Sequence, residues 1–303
     1  MEIADCPFNF EYDGNYFDFK LSKSPHLVKG MYWVPNNQKP TKIVIYVHGL
    51  NSMLVSERDS VPVYLERGFA YFSSDHIGHG KSEGSPLCCN VDEIIEETLY
   101  VVSYAHKMFP ELPIYLKGHS LGGLVVLSCG LFHTEDLVRN NIKGIIAIAP
   151  YISSCPKIPI ALYESILIYL TSIFAPLMKL PTGENSFPDD IPRQYSDWIL
   201  SHARAKNFIT PRLLASCLRQ ITKVLPMAEK WPESIPLLFT QGMKDDMVDP
   251  VVNLDWANRV LSAHPDTIEI HTYQMATHQI TRCPYRGEQF RHIFNWISTL
   301  GTK

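Results

Sequence analysis

Short apolar runs recur along the chain at intervals that helical patterns fill. Ile43 to Val47, Ile114 to Lys117, Ile142 to Ile148 and Pro236 to Thr240 are each followed within two residues by Gly or Pro. Runs of that length, closed by a chain breaker, read as strands buried on both faces. Phe69 to Ser73 is a weaker fifth candidate. Between the second and the weaker run, Asn90 followed by Glu93 reads as a capping box. Ile94, Ile95, Leu99, Val102 and Ala105 then recur at helical spacing up to Phe109-Pro110. Strand, crossover helix and strand in alternation predict an α/β protein with a mostly parallel central sheet flanked by helices.

That rhythm stops at Tyr151 and resumes near Pro232. The interval holds an apolar, helical-looking stretch, a turn rich in Pro and Gly from Pro181 to Pro192, and a second helical stretch from Thr210 to Ala228. Afterwards come the strand to Thr240, a helix from about Val251 to Ser262, a strand Thr267 to Tyr273 and a final helix Arg286 to Leu300. The sheet is interrupted and not ended, which predicts a core in two parts, 1–150 and 233–303, with a helical cap inserted at 151–232. A chain of 303 residues suits one domain with a sizeable insertion.

Composition narrows the classes. A hydrophobic fraction of 46% with 19% charged residues describes an ordinary globular protein. A net charge of -4 gives no basic footprint and argues against nucleic acid as a partner. Seven scattered cysteines, never spaced C-x-x-C, read as reduced thiols and offer neither a zinc knuckle nor a redox motif. With no signal-like N-terminus and no N-x-[ST] sequon, the expectation is a cytoplasmic protein. The most apolar stretch, Ser165 to Met178, contains Pro176 and falls short of the roughly 20 residues a bilayer span needs.

Chemistry enters where Ile114 to Lys117 runs into Gly118-His119-Ser120-Leu121-Gly122 and the apolar helix Leu124 to Leu131. G-x-S-x-G between strand and helix is the pattern of a nucleophile held on a sharp turn, small neighbours being needed where side chains would strike backbone. The three fixed positions alone recur by accident on the order of 0.1 times in a chain this long, so the flanking elements carry the case. Ser120 is the predicted nucleophile. It needs a base, and the base an acid, in the order Ser, Asp, His. Asp245, Asp246 and Asp249 follow the strand ending at Thr240, on the edge where such sheets bind ligands. Asp249 suits the N-cap of a helix beginning at Pro250. Spacing does not separate the other two. Among the histidines, His271 sits inside a strand, His264 before it and His292 in the last helix. His278 lies beyond the strand's C-terminal end and is the predicted base. The backbone N–H groups of Leu121 and of Leu50, in His48-Gly49-Leu50-Asn51 after the first strand, are the predicted oxyanion donors. His48 reads as a loop brace.

These residues resemble the monoacylglycerol lipase and lysophospholipase-like branch of the serine α/β-hydrolases. Besides Gly118 to Gly123, the segment Asp75-His76-Ile77-Gly78-His79-Gly80-Lys81-Ser82-Glu83-Gly84 is similar to that family's D-x-x-G-H-G-x-S-x-G loop, in which His76 and His79 read as structural. The resemblance implies an α/β-hydrolase fold and an acid three residues after the strand-end glycine, hence Asp245 after Gly242, with His278 as base. It also implies a helical cap over the site. The family's D-P-L segment in that cap has Lys206-Asn207-Phe208 in its place here, which leaves cap contacts untransferred.

Ile166, Leu167, Ile168, Leu170, Ile173, Phe174, Leu177 and Met178 make the cap's first helix apolar nearly all round. Such a helix is buried or lipid-facing; the resemblance implies that it walls an acyl tunnel and meets a membrane or micelle, and the plain alternative is that it packs on its own cap partner. The expected activity is hydrolysis of lipid esters, monoacylglycerols or lysophospholipids, through an acyl-enzyme on Ser120, with no metal or organic cofactor. The rivals are a general carboxylesterase, thioesterase or acyltransferase with the same triad, and a non-catalytic binding protein on the same scaffold.

Overall fold

The computed structural model describes residues 14–154, 161–181, 208–282 and 284–300. In chain order the strands are β1 (Asn15–Lys20), β2 (Leu27–Trp33), β3 (Lys42–Val47), β4 (Phe69–Ser74), β5 (Ile114–His119), β6 (Ile142–Ile148), β7 (Leu180–Pro181), β8 (Phe208–Ile209), β9 (Leu237–Gly242) and β10 (Ile268–Tyr273). The helices are α1 (Val61–Leu65), α2 (Val91–Met108), α3 (Leu121–Phe132), α4 (Thr134–Arg139), α5 (Leu162–Phe174), α6 (Pro211–Val224), α7 (Pro250–Ala263) and α8 (Arg286–Leu300). Single 3-10 segments, Leu54–Ser60 and Leu225–Lys230, precede α1 and follow α6.

Eight strands form one sheet in the order β1-β2-β4-β3-β5-β6-β9-β10. From β4 to β10 every neighbour is parallel, and β1 and β2 are antiparallel at one edge. This is the mostly parallel α/β sheet that the apolar runs predict. The strands β3, β4, β5, β6 and β9 coincide with those runs to within two residues. β1 and β2 do not come from such runs. They lie at the solvated edge, where Phe17 and Phe19 point inward between exposed Asp18 and Lys20, so their signal is a short alternation.

The pleat sorts the core into two layers. Ile43, Ile45 and Val47 pack with α2, α3, α6 and α7, while Val44 and Tyr46 pack with α1, α8 and the first 3-10 segment. Successive residues of a central strand thus serve opposite helix layers, which is why these strands are apolar throughout. Asn90 and Glu93 form the capping box at the start of α2, each bonding the other's backbone N–H at 2.9 and 2.8 Å. Thr210 caps α6, which buries Leu213, Cys217, Ile221 and Val224 in the same layer as α3. Among the described residues Cys88, Cys89, Cys129 and Cys217 are free thiols.

Trp256 of α7 joins three elements. It is fully buried, donates from Nε1 to the Val224 carbonyl at 3.1 Å, and meets the ring of Trp231 edge-on. Truncating a side chain of that size leaves a cavity and an orphaned carbonyl. Trp256→Ala should lower stability by about 3–5 kcal/mol, read as a shift of the urea midpoint, with Trp256→Phe losing much less.

Candidate active site

The turn from β5 into α3 places Ser120 at φ 56°, ψ −117°, a conformation that a side-chain-bearing residue rarely adopts. Close approach of backbone explains the glycines around it. A Cβ on Gly118 would lie 2.1 Å from the Gly122 carbonyl oxygen, and one on Gly122 would lie 2.0 Å from that of Val47. The turn is held by Ser120 N–H donating to the Ile148 carbonyl at 3.0 Å, and by the Ser120 carbonyl accepting from Leu124 and Tyr151 at 3.1 and 2.9 Å. Leu121 opens α3, so its N–H has no carbonyl one turn earlier to bond. The loop after β3 comes close as well, a Cβ on Gly49 falling 3.2 Å from Ser120 Cβ.

Asp245 lies just past β9 and His278 just past β10, both buried. His278 Nδ1 donates to Asp245 Oδ2 at 2.8 Å. The same carboxylate accepts from Gln241 Nε2 at 3.0 Å and, at Oδ1, from the Met247 and Val248 N–H groups at 2.9 and 3.0 Å. Burial alone would raise the Asp245 carboxyl. The charge and hydrogen bond of His278, with the two backbone donors, outweigh it and hold the group below its ordinary value. The carboxylate therefore faces the imidazole in its ionised form, with Nδ1 carrying the hydrogen and Nε2 left to take a proton. Asp246 is exposed, and Asp249 accepts from Val251 and Val252 N–H at 2.9 and 3.4 Å as the N-cap of α7.

The described hydrogen bonds tie His278 to the neighbourhood of Ser120 through His119. His119 Nε2 bonds the His278 carbonyl at 3.0 Å, and the two rings lie 4.8 Å apart at their centroids. Among the described residues no hydrogen bond joins Ser120 Oγ to His278, as is common before a substrate tightens such a site.

Residues that motif reading does not reach complete the arrangement. Gln241 Oε1 accepts from Asn253, which also donates to the Pro150 carbonyl and accepts from Ser153, so a buried amide chain orients the donor to Asp245. Their signal is a polar residue inside an apolar strand or on the core face of a helix. Beneath the turn, Lys117 is buried against Glu57, its ammonium 5.1 Å from the Tyr46 ring centroid and 5.4 Å from that of Tyr64. Burial would raise Glu57, but Lys117 and Arg282 hold it down at about 2. Arg282, four residues after His278, pairs with Asp59 and the Ser56 carbonyl, pinning the loop of His278 to the first 3-10 segment.

The loop motif at 75–84 is explained by space. Asp75 accepts from Leu54 N–H at 2.7 Å and Lys81 N–H at 2.8 Å, and a Cβ on Gly80 would lie 2.1 Å from the Asp75 carboxylate. Gly78 and Gly84 stand at φ 75° and 102°. Among the described residues no cluster of His, Cys, Asp or Glu has the form of a metal site.

The family described as serine aminopeptidase, S33, is matched over residues 38–282. The chain belongs to that family. It is a serine hydrolase of the α/β-hydrolase fold. It is 25% identical to a rat (Rattus norvegicus) monoglyceride lipase over 238 residues, 74% of each protein. To the Bacillus subtilis phospholipase YtpA it is 22% identical, over 86% of this chain and 96% of that one. A soluble variant of Saccharomyces cerevisiae monoglyceride lipase, solved with a substrate analog, superposes with a TM-score of 0.79 at 17% identity, covering 97% of this hydrolase and 98% of that chain. The resemblance read from the motifs is thus matched by the relatives.

Burial, reinforced by the neighbouring His278, drives the His119 imidazole from 6.5 down to about 4. Between those values the unfolded chain binds the proton and the folded one does not, so stability falls as pH falls through that window, by up to about 3 kcal/mol. His119→Gln should flatten this part of the pH dependence, measured as urea midpoints of both proteins at pH 6.5 and pH 4.5.

Proposed function

We propose that this hydrolase cleaves carboxylic esters of lipids, most of all monoacylglycerols or lysophospholipids, through an acyl-enzyme on Ser120. The observation that carries the reading is the buried His278–Asp245 pair, joined through His119 to the strained turn of Ser120. Ser120 Oγ attacks the ester carbonyl while His278 Nε2 takes its proton, and Asp245 stabilises the imidazolium. The N–H groups of Leu50 and Leu121 hold the oxyanion. Collapse expels the alcohol, protonated by His278. Water then attacks the acyl-enzyme, giving its proton to His278, and the fatty acid leaves as Ser120 is restored.

The family description names a peptidase, while the relatives named above are lipases, so membership alone does not choose the acyl donor. The segment from 151 supports a lipid. Tyr163, Ile166, Leu167, Leu170, Ile173 and Phe174 recur at helical spacing on the exposed side of α5, with exposed Leu177 just beyond it, and the other side of α5 packs along α6. An outward apolar face of that extent fits the edge of a lipid surface, and peripheral contact there would deliver an acyl chain to the site. Among the described residues no helix is long and apolar enough to cross a membrane. The cap proposed for 151–232 extends in part over residues outside those described. Of its described parts, α6 is built into the main core, and α5 carries the exposed apolar face.

Two measurements test the reading. Ser120→Ala should abolish ester hydrolysis and labelling by a fluorophosphonate with an unchanged fold, and Asp245→Asn should cut kcat by about 10⁴ while Asp246→Asn stays within about twofold. Labelling that persists in Ser120→Ala, or a greater loss in Asp246→Asn, would show other residues at work. A series of acyl esters decides the substrate class. Each buried methylene is worth about 0.8 kcal/mol, so kcat/KM should rise at least ~10-fold from butanoyl to decanoyl esters. A flat series would favour the general carboxylesterase or thioesterase.

A further inference from the structure

The loop at 75–84 packs two histidines, His76 and His79, against His48, two residues before Leu50. His48 and His76 are fully buried with ring centroids 3.8 Å apart. His76 Nδ1 lies 2.8 Å from Glu97 Oε2, and its Nε2 lies 3.1 Å from the His48 carbonyl oxygen. A carbonyl oxygen only accepts, so Nε2 carries a hydrogen, whichever of Nδ1 and Oε2 holds the proton between them. The backbone N–H of His76 donates to His48 Nε2 at 3.1 Å. That nitrogen is therefore an acceptor, and the hydrogen of the neutral His48 ring sits on Nδ1, from which it donates to the Gly49 carbonyl at 2.8 Å.

The consequence for Leu50 is geometric. The Gly49 C=O and the Leu50 N–H belong to one planar trans peptide and point in opposite directions, so whatever orients the first orients the second. The preceding peptide, with the His48 carbonyl, is held by the His76 ring. Two successive peptide planes leading to the Leu50 N–H are thus each set by an imidazole, and Glu97 of α2, which also accepts from Ile77 N–H at 2.9 Å, anchors the pair from outside the loop.

We propose that His76, held by Glu97, is a positioning residue for the oxyanion hole: its ring fixes the carbonyl of His48 while its backbone N–H sets the His48 tautomer, and the ring contact thereby steadies the direction of the Leu50 N–H. This rests on Leu50 N–H being an oxyanion donor. His76 touches neither substrate nor nucleophile, and its effect falls on the transition state, in which the oxyanion exists, and not on the bound ester.

Hydrolysis of a p-nitrophenyl ester and inactivation by an alkyl fluorophosphonate, whose adduct presents the same oxyanion, read the effect. His76→Leu should lower kcat by roughly 10- to 100-fold, less than or equal to the loss of a whole donor, and slow inactivation by the same factor. KM should stay within about twofold, since ground-state binding is untouched. His76→Gln, whose amide N–H reaches the Nε2 position, should recover at least about fivefold in kcat over His76→Leu, a rescue that a space-filling role would not give. In a His48→Ala background His76→Leu should still cost at least about fivefold, because the His48 carbonyl that the His76 ring holds is backbone and survives that substitution. A raised KM with kcat retained, disappearance of the His76→Leu loss in the His48→Ala background or failure of the Gln rescue would overturn the proposal. Should His76→Leu not fold, His76→Gln and His76→Asn decide it, since Asn places its amide at the Nδ1 position, and equal kcat in the two overturns it. Full kcat in His76→Leu together with a dead Ser120→Ala would reject the positioning role alone, whereas persistent labelling of Ser120→Ala would reject the hydrolytic reading beneath it.

Discussion

The close approach of the turn after β5 to the end of β3 is the constraint on which the rest of the site depends. Gly122 stands where any Cβ would meet the Val47 carbonyl at 2.0 Å, and Gly118 where one would meet Gly122 itself. Only that approach puts Ser120, at its strained φ, beside the loop that carries Gly49 and Leu50. The strain is opposed by ladder bonds on both sides, since β5 is paired along its length with β3 and β6. A candidate nucleophile on the edge of the sheet would have one of those partners. In the centre it has both, and the bonds of Ser120 to Ile148 and Tyr151 extend the pairing through the turn.

The second theme is how many carboxylates the core accepts. Glu57, Asp75, Glu97 and Asp245 are all buried, and each is met by a cation, an imidazole or backbone donors. Isolated, each would be costly to ionise. Paired, each ties a loop of the candidate site to a rigid element: Glu57 binds the first 3-10 segment to β5, Asp75 organises the loop beyond β4, Glu97 reaches from α2 to the histidines below Leu50, and Asp245 orients His278. Buried pairs of this kind add little net stability, but losing one partner leaves an uncompensated charge, so they select one arrangement of the loops over its neighbours.

Much of this was legible along the chain. The strands of the centre appear as apolar runs because both faces are covered, and the helix α2 is announced by Asn90 and Glu93, whose bonds are local. Ser120 is legible because a strained turn demands glycines at set offsets. Asp249 as a helix cap is legible for the same reason, a single Asp before Pro250. By contrast β1 and β2 escape notice because an edge strand with one wet face needs only Phe17 and Phe19 at alternate positions. Glu57 and Glu97 escape too, since nothing in their local sequence tells a buried polar residue from a surface one, and Gln241 and Asn253 carry only the weak signal of a polar residue at the end of an apolar strand or on a helix's core face.

The sequence by itself determined the fold class and the order of the candidate nucleophile, acid and base, because those follow from periodicity and from chain breakers acting over a few residues. The tertiary structure decided which carboxylate meets which imidazole. By spacing Asp245 and Asp246 are alike and only the family resemblance favoured the first; β9 and β10 lying side by side show the physical reason, bringing Asp245 and not the exposed Asp246 to His278. The same holds for His76, whose ring acquires its partners from the loop after β3 and from α2 only when the sheet brings together elements that lie 20 or more residues apart in the chain.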